Sequence, residues 1–249
     1  KIADEELGLN WALSLPLDTS TFSIDGSNEA KTFQEQFAGI NHFAGYSSSH
    51  MSIMLTVSLF SSALPKSYLE IGVNEGLSLY AIASAVRFQR LLNLEPINAQ
   101  IFDELVLADC WGGEYGGTGR SNSDHIQEVL SSFGEVRNVT FLNGDSKITI
   151  PQFFEQRSKE DLSFDFVYVD GDHSYEGAKG DIENVLPHVG KVLFFDDMYH
   201  PLHYQKDRLL DLHRSLVEQL KDDFYVFLNR HGFGISAFVR KTEFHKLKK

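Results

Sequence analysis

The chain has 249 residues, a formal net charge of −13 and a single cysteine, long enough for one α/β domain with a full core plus an appendage. The acidic balance argues against gripping phosphate backbones, and no apolar run approaches a membrane-spanning length, so neither a nucleic-acid nor a membrane partner is expected. Cys110 alone makes no intramolecular disulfide and no cysteine zinc site, which suits a reducing compartment and makes the cytoplasm the expected location.

Residues 1–64 read as an N-terminal appendage, partly helical, with one helix around Glu29–Ala38 and another over His50–Leu64. Its first expected role is to cover a face of the core. Its functional role would be a pocket wall or a contact between copies, so a homo-oligomer is among the expected assemblies.

Residues 65–249 read as the main domain. It opens on Tyr68-Leu69-Glu70-Ile71-Gly72-Val73-Asn74-Glu75-Gly76: a buried strand, a glycine turn and the start of a helix carrying Leu77, Leu79, Tyr80, Ile82 and Ala83. Gly72, lacking Cβ, would let the backbone turn sharply and a ligand approach. Gly76 would open the helix, whose free N–H groups favour an anionic group. Glu70, at the strand end, can accept from a cationic or hydroxyl-bearing ligand. The dinucleotide pattern G-x-G-x-x-G is absent, because Gly72 and Gly76 are four apart and position 74 is Asn. No Gly-Lys-Ser/Thr follows, so the turn is not a P-loop. Glu75 would repel a pyrophosphate. S-adenosylmethionine, with an amino group, one carboxylate and no phosphate, suits the turn better; an ordinary strand-to-helix turn fits the same residues.

After a long connection, Arg90–Glu104, a second strand ends at Asp109. A glycine-rich loop, Trp111–Gly119, follows as a lid or a plain loop, then a helix capped by Ser123 or Asp124. A third strand, Val139–Leu142, leads into Gly144-Asp145-Ser146, with a short helix beginning near Pro151. A fourth strand, Phe164–Asp170, leads into Gly171-Asp172-His173 and a helix stopping at Pro187. A fifth, Lys191–Phe195, ends in Asp196-Asp197, and another helix follows. Two strands, Phe224–Leu228 and Ile235–Arg240, close the chain. Alternation of strands and helices predicts a doubly wound α/β sheet, mostly parallel, with a C-terminal antiparallel pair at one edge.

In such sheets ligands bind beyond the carboxyl ends of the strands. Glu70, Asp109, Asp145, Asp170 and Asp196 with Asp197 end five predicted strands, which gathers acids on one edge. If the fourth and fifth strands are neighbours, about 4.8 Å apart, their terminal carboxylates converge. Either some take up protons or a cation neutralises them. All-oxygen ligands suit Mg²⁺, Ca²⁺ or Mn²⁺. Two exposed aspartates and a structural cap are the plainer alternative.

Glu70-x-Gly72-x-x-x-Gly76, Asp109, Asp145-Ser146, Asp170 and the terminal strand pair together resemble a class I S-adenosylmethionine-dependent methyltransferase, a Rossmann-like fold. The stretch Val169-Asp170-Gly171-Asp172-His173-Ser174-Tyr175-Glu176, with Phe195-Asp196-Asp197, is similar to the branch holding metal-dependent sugar O-methyltransferases and cephalosporin-hydroxylase-like proteins. The resemblance covers about Tyr68–Lys241. It implies that Glu70, Gly72 and Gly76 hold the methionine part of the cofactor, with Asn74, Glu75 and Ser78 on the same turn. It also implies that Asp109 accepts the ribose hydroxyls, that Asp145 and Ser146 face the adenine, and that Trp111 and Asp170 border the cofactor. Asp170, Asp196 and Asp197 would hold a divalent metal, Mg²⁺ or another oxygen-liking cation. The spacing from Gly76 to Asp109 is longer than usual in the class, so part of Arg90–Glu104 would be an insertion.

The implied reaction is O-methylation of a small-molecule acceptor, a sugar hydroxyl or a catechol-like phenol. His173, three residues past Asp170, is one candidate base and Asp170 the other. His200 and His203 read as a substrate-side loop. Three rivals remain. One is a short-chain dehydrogenase using NAD(P), from Tyr175-x-x-x-Lys179. Another is a catalytically idle methyltransferase fold serving as a binding subunit. The third is a hydroxylase partner within the resembling branch, which keeps the cofactor fold but serves another reaction.

Overall fold

The computed structural model describes residues 63–93, 100–111, 123–131, 133, 137–158, 162–198, 206–229 and 233–246. The appendage expected over 1–64, apart from Ala63 and Leu64, lies outside the described residues, as do most of the glycine-rich loop and both His200 and His203.

The elements in chain order are β1 (Ser67–Ile71), α1 (Leu77–Leu92), β2 (Glu104–Asp109), α2 (Ser123–Ser131), β3 (Val139–Asn143), α3 (Ser146–Glu155) and β4 (Phe164–Val169). They continue with α4 (Tyr175–Val185), a 3-10 turn (Leu186–His188), β5 (Val189–Phe195), α5 (Lys206–Leu220), β6 (Phe224–Asn229), β7 (Ile235–Arg240) and α6 (Lys241–Lys246). They build one seven-stranded sheet in the order β3-β2-β1-β4-β5-β7-β6. The first five strands in sequence are mutually parallel, while β7 runs antiparallel to both β5 and β6. The mostly parallel, Rossmann-like sheet expected from the alternation is therefore present.

The central strands are apolar on both faces because helices cover both. Tyr68, Leu105, Leu107, Phe166, Tyr168 and Phe194 pack under Leu79, Ile82, Ala83 and Val86 of α1 and Ile126 and Leu130 of α2. Leu69, Ile71, Val106, Val167, Val169 and Leu193 pack under Ile150 of α3, Ala178 and Ile182 of α4, and Leu209, Leu212 and Leu216 of α5. Spacings of three and four put each helix's apolar residues on one stripe.

Three local readings change. Helix α3 begins at Ser146, well before Pro151, because Asp145 caps it: the Asp145 carboxylate accepts from the Lys147 N–H at 2.9 Å. Pro151 sits inside the helix, a change that costs about 3 kcal/mol in an isolated helix. Burial of Ile150 and Phe154 on either side offsets it. Helix α1 runs on to Leu92, so the connection to β2 is shorter than Arg90–Glu104. Helix α6 follows β7 without a break, with Phe244 edge-on to Tyr225 at 5.1 Å between centroids.

Strand order reverses between β1 and β4, the crevice where ligands settle in open α/β sheets. Parallel pairing brings the carboxyl ends of β1 to β5 to the same edge.

Candidate functional site

The turn after β1 is set by contacts within the protein. Gly72 has φ +86°, donates its N–H to the Ala108 carbonyl at 2.9 Å, and an added Cβ there would lie 2.0 Å from the Asp170 carbonyl oxygen. The loop after β4 thus packs against the side of Gly72 where a side chain would stand. Gly76 has φ +78° and faces the Ile126 side chain; its carbonyl accepts the first bond of α1, from Tyr80 N–H at 2.8 Å. Asn74 lies at the exposed tip of the turn, also left-handed at φ 47°, with Glu75 half-buried beside it.

Glu70 is fully buried. It accepts from the Tyr68 hydroxyl at 2.9 Å and from the Ser78 hydroxyl. Burial pushes its carboxyl up to about 8; the two hydroxyl bonds oppose this, and the charges of Asp170 and Asp109 add to it. Glu70 therefore supports the turn from beneath, and Ser78 of α1 lies between it and the helix surface.

Asp109 ties two loops together. Its Oδ2 accepts from the Asn74 N–H at 2.8 Å and its Oδ1 from the Trp111 N–H at 2.6 Å. Each oxygen keeps a lone pair for a further donor. Trp111 is left-handed at φ 55°, and its indole N–H reaches Asn143 Oδ1 at 2.7 Å. Asp145 caps α3, while the Ser146 hydroxyl turns inward and donates to Asp181 Oδ1 at 2.6 Å. Residues of this row thus share the edge formed by the ends of β1, β2 and β3.

Beyond β4 and β5 a second group converges. Nε2 of His173 is 3.1 Å from Asp170 Oδ1, and its Nδ1 is 3.8 Å from Asp197 Oδ2. One ligand atom from each of Asp170, His173 and Asp197 lies within 4.8 Å of the others. Asp196, expected in the metal set, stands behind this cluster: its Oδ2 accepts from the buried Tyr168 hydroxyl and its Oδ1 from the Asp197 N–H at 2.8 Å. That last bond holds Asp197 at φ 59°. The left-handed region costs a non-glycine residue about 1–2 kcal/mol, a cost that a bond to a charged acceptor matches.

The electrostatics of this group are those of crowded acids. Burial, with the charges of Asp170 and Asp196, pushes the Asp197 carboxyl up to about 8. Burial alone would lower His173, but its hydrogen bond to Asp170 and the charges of Asp170, Asp197 and Asp196 outweigh it and raise it to about 9. Without a cation the cluster thus holds extra protons, and a cation would displace them. Two carboxylates and an imidazole suit a divalent ion of the Mn²⁺ type as well as Mg²⁺.

Lys179 of the Tyr175-x-x-x-Lys179 pattern reaches along α4 to Glu183 Oε1 at 2.5 Å. Sequence reasoning missed Tyr168 and Asp181, which reach the site only through packing. Their one signal was a polar residue at an apolar position of a strand or helix. Among the described residues, no helix is long and apolar enough to cross a membrane.

The fold has counterparts among solved structures. The O-methyltransferase TomG of Streptomyces achromogenes, solved with S-adenosylmethionine, is 15% identical, with 95% of this chain and 98% of that chain covered at a TM-score of 0.53. An O-methyltransferase from Bacillus cereus, solved with S-adenosylhomocysteine, is 15% identical over 95% of this chain and 100% of that one, at a TM-score of 0.52. At such identities the likeness is one of fold. No curated protein matches the chain. Residues 69–198, more than half of the chain and reaching from within β1 to just past the Asp196-Asp197 turn, match the profile of the methyltransferase domain family, and the chain belongs to that family.

Proposed function

We propose that the protein is an S-adenosylmethionine-dependent O-methyltransferase, assisted by a divalent cation, acting on a hydroxyl of a small molecule such as a sugar diol. The observation that carries this reading is the convergence of Asp170, His173 and Asp197 beside the Gly72 turn, at the switch point of a methyltransferase-family sheet. Solved proteins of the same fold hold S-adenosylmethionine or S-adenosylhomocysteine, which supports the cofactor.

We assign the methionine end of the cofactor to the turn Gly72-Val73-Asn74-Glu75-Gly76 and to Ser78, with Glu70 bracing both from below. Asp109 takes the ribose hydroxyls on its remaining lone pairs, Trp111 borders them, and Asp145 with the start of α3 faces the adenine. Asp170 and Asp197 hold the cation, and Asp196 orients Asp197 through its amide. When bound, the cofactor supplies an activated methyl group and the cation lowers the pKa of an acceptor hydroxyl.

His173 is the proton acceptor. Asp170, Asp197 and Asp196 hold its pKa up, and a cation on Asp170 and Asp197 would offset that pull and favour the neutral imidazole that can take a proton. The Asp170 carboxylate fixes which ring nitrogen faces the acceptor.

Titration calorimetry with S-adenosylhomocysteine, in magnesium and then in EDTA, tests the reading, followed by methyl transfer to a panel of sugar diols and catechols. Micromolar cofactor binding that survives EDTA and transfer that does not are expected. Binding with no transfer to any acceptor would favour an idle binding subunit, and absence of cofactor binding would end the proposal.

A further inference from the structure

Asp181 is a buried acid with no place in the scheme above. It lies on α4 and has no solvent exposure. Its Oδ1 accepts from the Ser146 hydroxyl at 2.6 Å, while its Oδ2 has no hydrogen-bond donor among the described residues. That second oxygen faces Gly171, where an added Cβ would stand 2.9 Å from it. Burial pushes the carboxyl up to about 6, opposed by the hydrogen bond from Ser146.

One side chain therefore lies under the seam of two loops. The first is the start of α3, on the adenine side of the cleft. The second is Asp170-Gly171-Asp172-His173, on the acceptor side. The next residue along makes a second link, Lys147 Nζ to Asp172 Oδ2 at 2.8 Å. That pair is partly exposed and contributes little by itself. An apolar side chain of similar size would fill the space of Asp181 without the cost of burying an acid, so packing alone does not require one. What Asp181 adds at this point is an acceptor for the Ser146 hydroxyl on one oxygen, while its other oxygen lies against Gly171 of the second loop.

We propose that Asp181 is a positioning residue that clamps the Ser146 end of α3 to the Gly171–Asp172 backbone, and so sets where Asp170 and His173 stand relative to the cofactor. A Cβ at Gly171 would crowd both Asp181 Oδ2 and the Ile71 side chain, each at 2.9 Å. The functional consequence rests on the methyltransferase reading; the clamp itself does not.

Hydrogen exchange of the ligand-free full chain tests the clamp. Asp181→Ala is expected to speed exchange about tenfold in residues 145–149 and 170–174, leaving β1 and β7 as in the wild type. Asp181→Asn, which keeps one acceptor, is expected to fall between. If the alanine variant does not fold, Ser146→Ala carries the test, with faster exchange expected in both segments. Unchanged protection there, or loosening spread evenly through the sheet, overturns the proposal. In a second arm, Mn²⁺ affinity followed by electron paramagnetic resonance is expected to fall at least tenfold in Asp181→Ala, as for other groups that orient ligands. S-adenosylhomocysteine affinity should fall less. Wild-type affinity for both probes in a loosened variant overturns the positioning role. A wild-type protein that binds neither probe overturns the methyltransferase reading instead, and the exchange data still decide the clamp.

Discussion

Nε2 of His173 stands 3.1 Å from Oδ1 of Asp170, and this contact sets the charge state of the cleft. The ring is held between two acids, Asp170 on one side and Asp197 on the other, at the ends of neighbouring parallel strands. The pairing of β4 with β5 brings the two acids together, as expected for neighbouring strands that each end in aspartate.

The first consequence is a pH dependence with a definite sign. His173 is raised from 6.5 to about 9, Asp197 from 3.8 to about 8 and Glu70 from 4.5 to about 8. Each folded value lies above the unfolded one, so the folded protein binds more protons in between, and stability falls as pH rises. Each contribution is complete below the unfolded value and gone above the folded one. Calorimetric melting in EDTA should show Tm dropping by about 5 °C or more between pH 6 and pH 9. Added Mn²⁺ should flatten the decline, because it binds the deprotonated carboxylates. A Tm that is level or climbs over this range would contradict the protonated cluster.

The role given to His173 separates from a ligand role by one substitution. His173→Gln should lower methyl transfer by about 10²-fold or more while leaving Mn²⁺ affinity within about threefold. Asp170→Asn and Asp197→Asn should lower both. If His173→Gln releases Mn²⁺ as fully as Asp170→Asn does, the imidazole belongs to the ion and the base is elsewhere.

Gly72 tests the fold rather than the chemistry. Gly72→Ala would place a methyl 2.0 Å from the Asp170 carbonyl oxygen at a φ of +86°, so both the turn and the β4 loop must shift. A destabilisation of about 3 kcal/mol or more is expected in urea unfolding, from steric overlap and left-handed strain together. A loss under about 1 kcal/mol would mean that the turn relaxes freely.

Asp109 joins a structural duty to the binding duty proposed for it. Asp109→Ala removes the acceptor of the Asn74 and Trp111 amides as well as the carboxylate assigned to the ribose. Calorimetry should show S-adenosylhomocysteine affinity lower by about tenfold, some 1.4 kcal/mol, with Mn²⁺ binding little changed. Equal weakening of both ligands would point to collapse of the edge rather than loss of one contact.

The parallel order of the sheet and the acids at its carboxyl edge were legible in the chain, since strand-length apolar runs alternate with helical periods and the first five runs each lead to an acid. The chemistry of those acids was not equally legible. Glu70 reads as a ligand contact; in the fold it is fully buried, and Ser78, eight residues on, and Tyr68, two residues back, each donate to one of its oxygens. Asp196 and Asp197 are adjacent and alike in sequence, yet one is drawn back by the Tyr168 hydroxyl and the other projects from a left-handed backbone.

Sequence by itself determined the periodicities, and with them the sheet, its direction and the edge on which ligands must lie, because those follow from which residues alternate and where glycine and acid punctuate them. Only the tertiary structure decided which carboxylates face the cleft and which stand behind it. That choice depends on donors supplied by other elements, Tyr168 to Asp196 and Ser146 to Asp181, across 28 and 35 residues of chain, and a partner at such separation leaves no local pattern to read.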